Sequence, residues 1–71
     1  MFTLPQISHA HGLMLDALRA LVRRDPELRA LGLRVGVAKA FTAEEAQRIV
    51  AAYRAREARR RRQAETVHAD R

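Results

Sequence analysis

The chain has 71 residues, no cysteine and a formal net charge of +6. A chain of this length buries only roughly 60 % of its unfolded surface, so we expect one small domain and no large enzyme with a deep substrate cleft. The lack of cysteine excludes a disulfide framework and a thiolate zinc site. Because only 4 % of the residues are aromatic, the core must consist of Leu, Val, Ile and Ala, a composition that favours helices.

Most of the positive charge lies in one segment. Residues 54–62 contain six Arg and one Glu, a net +5, whereas residues 1–53 contain seven basic and five acidic residues, a net +2. Such a basic balance indicates a phosphate-rich partner. No positively charged N-terminal region precedes an apolar run, and no apolar stretch reaches the about 20 residues that cross a bilayer. We therefore expect a cytoplasmic protein with no targeting segment and no membrane partner.

Two short helices are predicted in the first third of the chain. The first begins after Thr3 as N-cap and ends near Gly12, with an apolar face of Leu4, Ile7 and Ala10. The second runs from about Met14 to Arg24 and stops there because the residue before a proline is pushed out of the α region. Its apolar face consists of Leu15, Leu18, Leu21 and Val22.

A connector and a hairpin follow. Asp25 and Pro26 open one or two helical turns through Leu31, which Gly32 closes. Residues 33–41 then alternate between apolar and polar side chains around Gly36, a pattern that predicts a small β-hairpin.

The last helix has the clearest start signal. Thr42 and Glu45 form a capping box, in which each side chain accepts from the other residue's backbone N–H. Helix-forming residues continue through about Gln63, and residues 64–71 are predicted to fray. The predicted core is Leu4, Ile7, Leu18, Leu21, Val22, Leu31, Val35, Phe41, Ile49, Val50 and Tyr53.

The segment from Thr3 to Arg24 resembles the helix-turn-helix of the MerR and phage excisionase families. The matching features are Thr3 at the start of the first helix, small residues Ser8 and Ala10, Gly12-Leu13 in the turn, and Leu18 as a buried anchor. The stretch from Arg34 to Thr42 resembles the wing of those domains, a hairpin that leads into a capped helix. The resemblance implies a mainly α winged helix-turn-helix domain over residues 1–55, followed by a basic helical extension over residues 56–71. It also implies sequence-preferring binding to double-stranded DNA by a small transcriptional regulator or an excisionase-like architectural factor.

In such a domain the second helix enters the major groove and the wing touches the flanking backbone. Arg19 and Arg23, four residues apart, are suited to guanine O6 and N7, and Asp16 can accept from a cytosine amino group. The apolar opening at Met14 leaves these three as the polar groups of that face. The full predicted DNA-binding set is Thr3, His11, Met14, Asp16, Arg19, Arg23, Arg24, Arg34, Lys39, Arg54, Arg56, Arg59 and Arg60.

Metal binding and catalysis are not expected. His9 and His11 are two residues apart, which places them on different sides of a helix, and His68 is the one further histidine. No nucleophile, base and orienting group occur at suggestive spacing, and no glycine-rich phosphate loop is present. We therefore predict no enzyme activity, no cofactor and no small-molecule ligand.

Two alternatives to DNA binding stay open. The second helix could dock onto a protein partner through Met14 and Leu15, with the arginines serving solubility alone. The Arg-rich tail could instead bind RNA, or form a solvated helix face. Because the predicted core is small, we also expect a homodimer or a cooperative multimer on DNA.

Overall fold

The computed structural model describes residues 1–69, and the side chains of residues 1–64. Its elements in chain order are α1 (Leu4–His11), α2 (Leu15–Arg24), α3 (Pro26–Arg29), β1 (Leu33–Val35), β2 (Ala38–Ala40) and α4 (Ala43–Ala69). The prediction of a mainly helical protein with one small hairpin is confirmed. Within the described residues, no helix combines the length and the apolar composition needed to span a membrane.

Helix α4 is longer than predicted. It continues to Ala69, whereas the sequence predicted a helix only through about Gln63, and residues 70–71 lie outside the described part of the chain. The physical reason is that neither Gly nor Pro occurs after Gly36, so no terminator interrupts a run of helix-forming residues. The helix also passes unbroken through residues 55 and 56, where the sequence places its domain boundary.

Side-chain caps set the starts of α1 and α3. The Thr3 hydroxyl accepts from the N–H of Gln6 at 3.4 Å, and the Gln6 side chain accepts from the N–H of Thr3 at 2.9 Å. Asp25 ends α2 by donating its N–H to the Leu21 carbonyl, and its carboxylate accepts from the N–H of Glu27 at 2.9 Å. These local bonds explain why the predicted helix starts are confirmed.

The turn between α1 and α2 depends on Gly12, which adopts a left-handed φ of 64°. The backbone N–H groups of Gly12 and Leu13 both donate to the Ser8 carbonyl, and the Ser8 hydroxyl donates to the Leu13 carbonyl. This arrangement satisfies the end of α1 and fixes the entry into α2.

The hairpin pairs Leu33 with Ala40 and Val35 with Ala38, around a two-residue turn that opens with Gly36 at φ 64°. Positive φ at the first turn residue is the requirement of a type II′ turn, which suits the twist of two strands. Phe41, predicted within the hairpin, instead exchanges two backbone hydrogen bonds of 2.8 and 2.7 Å with Phe2. The start of the chain is thereby joined to the start of α4.

The core lies between the four helices and Phe41. Its buried members are Ile7, Leu18, Leu21, Val22, Leu28, Phe41, Ala46, Ile49 and Val50, and Leu4, Leu31 and Tyr53 pack against them partly buried. The prediction is wrong for Val35, which is 60 % exposed because no helix covers the turn end of the hairpin. Leu28 and Ala46 were not predicted, and Ala10 is exposed rather than part of the buried face.

Glu45 joins the start of α4 to the connector. Its carboxylate accepts from the N–H of Thr42 and from the N–H of Gly32, each at 2.9 Å, and the Thr42 hydroxyl accepts in return from the N–H of Glu45. The Thr42 and Gly32 N–H groups, together with the nearby charge of Arg48, hold the pKa of Glu45 below its ordinary value. The predicted capping box is confirmed, and it also holds α4 against the segment after α3.

Candidate functional site

Helix α2 presents a polar face away from the core. Leu18, Leu21 and Val22 are buried, whereas Arg19 and Arg23 are exposed. Asp16 is exposed as well, three residues before Arg19, so a carboxylate and two guanidinium groups share this face. The three side chains that the sequence predicted for the polar face of α2 are therefore all exposed.

A shallow groove lies between this helix and the hairpin. We call it the hairpin groove, and it is lined by Thr3, Leu4, Pro5, Arg19, Val37, Ala38 and Lys39. Three residues of the predicted DNA-binding set thus come together: Thr3 from the N-cap of α1, Arg19 from α2 and Lys39 from β2. The groove carries two cations and no carboxylate among its lining side chains.

Lys39 has a structural role in addition to its place in the hairpin groove. Its Nζ donates to the Arg29 carbonyl at 2.6 Å and lies 6.0 Å from the centre of the Phe41 ring. An ammonium group has three donors, so two N–H groups stay available for another acceptor. Lys39 therefore anchors the hairpin to the end of α3 while it lines the groove.

A second groove lies on the other side of α2, between that helix and α4. We call it the arginine cleft, and it is lined by Met14, Ala17, Ala20, Leu21, Arg24, Tyr53, Arg56, Glu57 and Arg60. Three guanidinium groups from two helices meet there beside a single carboxylate. Arg19 and Arg24 are about 140° apart around the axis of α2, which agrees with their lining grooves on opposite sides of it.

The arginine cleft forms because the side of α4 that faces the core continues beyond the last core residues. Ile49 is buried and Tyr53 is partly buried, and the same side of the helix then presents Arg56 and Arg60. Arg56 is the one residue in 54–64 that is partly buried rather than exposed. Arg56 and Arg60 are both in the predicted DNA-binding set, but their convergence with Arg24 was not predicted. The spacing 49, 53, 56 and 60 indicates only that these residues share one side of α4.

The remaining predicted residues lie outside both grooves. Arg34 is exposed on β1, directly across from Lys39, and His11 is exposed at the end of α1. Arg54 and Arg59 are exposed on other sides of α4. Met14, in contrast, lines the arginine cleft and is 69 % exposed. The predicted set therefore divides into two clustered groups and several isolated surface residues.

The structure gives no assembled metal site in the part that it describes. Both His9 and His11 are exposed, and no three His, Cys, Asp or Glu residues converge among the described residues. The side chain of His68 lies outside that part.

A scan against protein-family models, a search of curated proteins and a search of solved structures found no match to this chain.

Proposed function

We propose that the protein binds double-stranded DNA as a winged helix-turn-helix domain, with α2 in the major groove and the hairpin as the wing. The observation that carries this proposal is that the polar face of α2 lies between two grooves, each lined by cations from a second element. In this proposal the protein is a transcriptional regulator or an excisionase-like architectural factor in the cytoplasm, and it has no catalytic activity.

The dimensions and chemistry of duplex DNA favour this arrangement. The major groove is about 12 Å wide and admits one helix, and a phosphate backbone borders it on either side. A helix placed there with Arg19 and Arg23 toward the bases directs the hairpin groove toward one backbone and the arginine cleft toward the other. Phosphate contacts from the flanks fix the position of the helix, and the side chains of α2 then read base edges.

The composition of α2 sets how much sequence this domain reads. Two arginines and one aspartate offer few base contacts, and Asp16 repels phosphate wherever it fails to meet a cytosine amino group. Most of the affinity therefore comes from phosphate contacts, and we expect it to fall steeply with salt concentration. Modest sequence preference with strong salt dependence is the expected behaviour.

A titration of duplex DNA at two salt concentrations tests the proposal. Arg19→Ala/Arg23→Ala should lose about 1–3 kcal/mol of binding free energy per arginine that contacts a base. Arg29→Ala/Arg48→Ala removes the same charge from exposed positions outside the polar face of α2 and outside both grooves, and is the matched control. Fluorescence anisotropy with a labelled duplex gives both affinities, and circular dichroism verifies that each variant is folded.

Equal affinity of the two double variants, or no binding by the parent chain at low salt, would sink the DNA proposal. If only a chain truncated after Tyr53 loses binding, and the parent chain binds RNA more tightly than duplex DNA, the RNA-binding alternative would be favoured. The protein-docking alternative depended on an apolar opening of α2 at two residues. Of these, Met14 is 69 % exposed, but Leu15 is partly buried, so the apolar surface is smaller than the sequence indicated.

Self-association belongs to the proposal because the domain is small. Nine buried apolar residues form the core of the described chain, and a core of this size gives limited stability. We propose a homodimer or a cooperative multimer on DNA. Sedimentation equilibrium of the free protein, and the steepness of its binding curve on duplexes of increasing length, measure the two forms separately.

A further inference from the structure

We propose that the arginine cleft is a binding site for the phosphodiester backbone of duplex DNA. The positions of Arg24, Arg56 and Arg60 in the cleft, and not their charge alone, determine this binding. This inference rests on the proposed function and gives the α4 extension a defined role in it. The arginines of the extension are then unequal: those in the cleft bind backbone, and those on other sides of α4 add only to the overall positive charge.

The first support is the chemistry of the cleft. Arg24 comes from α2, Arg56 and Arg60 come from α4, and Glu57 supplies the single negative charge among the lining residues, which leaves a net +2. Guanidinium groups are planar forks that match the paired oxygens of a phosphate. The Glu57 carboxylate forms an ion pair with Arg61, whose guanidinium lies 3.6 Å away and does not line the cleft. The cleft thus concentrates donors suited to phosphate.

The second support is rigidity. The cleft begins at Leu21 and Tyr53, which belong to the core or pack against it, so the two helices that supply the arginines are held together there. Of the three cleft arginines, Arg56 is partly buried, whereas Arg24 and Arg60 are exposed, as are Arg54 and Arg59 outside the cleft. An arginine whose stem is packed loses less conformational freedom when its head group binds.

The third support is the position of the cleft. It borders α2 on the side opposite the hairpin groove, so a duplex that receives α2 in its major groove brings its second backbone to this surface. The hairpin groove and the arginine cleft then hold the two strands on either side of one helix.

A rearrangement of the extension at constant composition gives the sharpest test. Ala55→Arg/Arg56→Ala/Ala58→Arg/Arg60→Ala moves two arginines to exposed positions away from the cleft and keeps the charge and residue content of α4. We expect about tenfold weaker duplex binding, since charge-assisted bonds to a phosphate are lost. The log–log slope of affinity against salt should fall by about 0.9 for each phosphate released. Circular dichroism should show unchanged helix content and Tm.

The matched control lowers the charge but leaves the cleft intact. Arg54→Gln/Arg59→Gln removes two exposed arginines, and we expect a loss of no more than about threefold because surface charges are screened by salt. A loss equal to or larger than that of the rearranged chain would overturn the inference, since charge alone would then explain the effect. Tighter binding of the parent to an RNA duplex of the same sequence would overturn the assignment to DNA.

A second measurement separates failure of this inference from failure of the proposed function. Titration of the ¹⁵N-labelled parent with inorganic pyrophosphate should shift the amide signals around Arg24 and residues 56–60, and the rearranged chain should not respond there. If the parent fails to bind duplex DNA, the proposed function falls, and a response confined to the cleft still identifies an anion site. Absence of that response in the parent overturns the site itself.

Discussion

The body of the protein, residues 2–53, and the extension of α4, residues 54–69, are held together in different ways. Every buried side chain of the described chain lies in the body, where α1, α2, α3, α4 and Phe41 share one core. In the extension, the described side chains of residues 54–64 are exposed except for Arg56. Charge divides the same way, with +2 over residues 1–53 and +5 over residues 54–62.

One continuous helix therefore has two sources of stability. Up to Tyr53 the helix is stabilised mainly by tertiary packing, which dominates in most proteins. Beyond Tyr53 the helix depends on the intrinsic preference of Ala, Arg, Glu and Gln, and on local pairs such as Glu57 with Arg61. A change in the core of the body should thus alter the free energy of unfolding, and a change in the extension should leave it nearly unchanged.

The largest effect on stability is expected at Gly32. A Cβ atom there would lie 2.8 Å from Cε1 of the fully buried Phe41 ring, and the backbone has a φ of 86°. Overpacking of a core and left-handed backbone in a residue with a side chain add up to about 2–5 kcal/mol for Gly32→Ala. Denaturant unfolding followed by circular dichroism at 222 nm measures the loss.

Gly12→Ala is the control for that variant. Gly12 also has a positive φ, 64°, but nothing lies within 4 Å of its would-be Cβ. Gly12→Ala should therefore lose only the stability that left-handed backbone costs a residue with a side chain, about 1–2 kcal/mol. Equal losses at the two glycines would show that the Phe41 contact contributes nothing.

Local signals made much of the body predictable from sequence. Thr3, Asp25 and Thr42 each cap the helix that follows, through bonds that span only a few residues, and the predicted starts agree with the structure. Long-range features were not predictable in this way. The pairing of Phe2 with Phe41 joins residues far apart in the chain, and nothing in either neighbourhood specifies it.

Burial and the candidate site were predicted less well for the same reason. Val35 has the apolar character of a core residue, but its exposure depends on whether another element covers the hairpin. The arginine cleft needs the rotational register of α4 against α2, which places Arg56 and Arg60 beside Arg24. Residue types predicted which side chains are cationic, and only the packing of the helices placed them together.

An intermediate effect is expected from the Glu45 carboxylate. Its pKa is lowered in the folded protein because it accepts from the N–H groups of Thr42 and Gly32. Because its pKa is lower in the folded state, the carboxylate contributes its full stabilisation above the pKa of the unfolded state, about 4.3. This stabilisation is lost as the pH falls through the pKa of the folded state. The Tm of the parent should therefore fall more steeply below about pH 4.3 than that of Glu45→Gln, which keeps an amide acceptor but does not titrate. Parallel curves for the two proteins would contradict this role.

The smallest effect on stability is expected from removal of the part of the extension beyond Glu57. A chain that ends at Glu57 keeps the backbone N–H that bonds the Tyr53 carbonyl in an i to i−4 helix, so the last core-facing turn stays complete. Since the described residues 58–64 are all exposed and none belongs to the core, the free energy of unfolding should change by no more than about 0.5 kcal/mol, as for surface substitutions remote from a core. For a domain of this size that corresponds to a Tm change of about 2–4 °C.

Amide hydrogen exchange in the full chain supplies an independent measure. The amides of residues 46–53 should exchange only through global unfolding, whereas those of residues 58–64 should exchange through local fraying of the helix. A destabilisation above about 1 kcal/mol, or uniform protection along α4, would show that the extension supports the body.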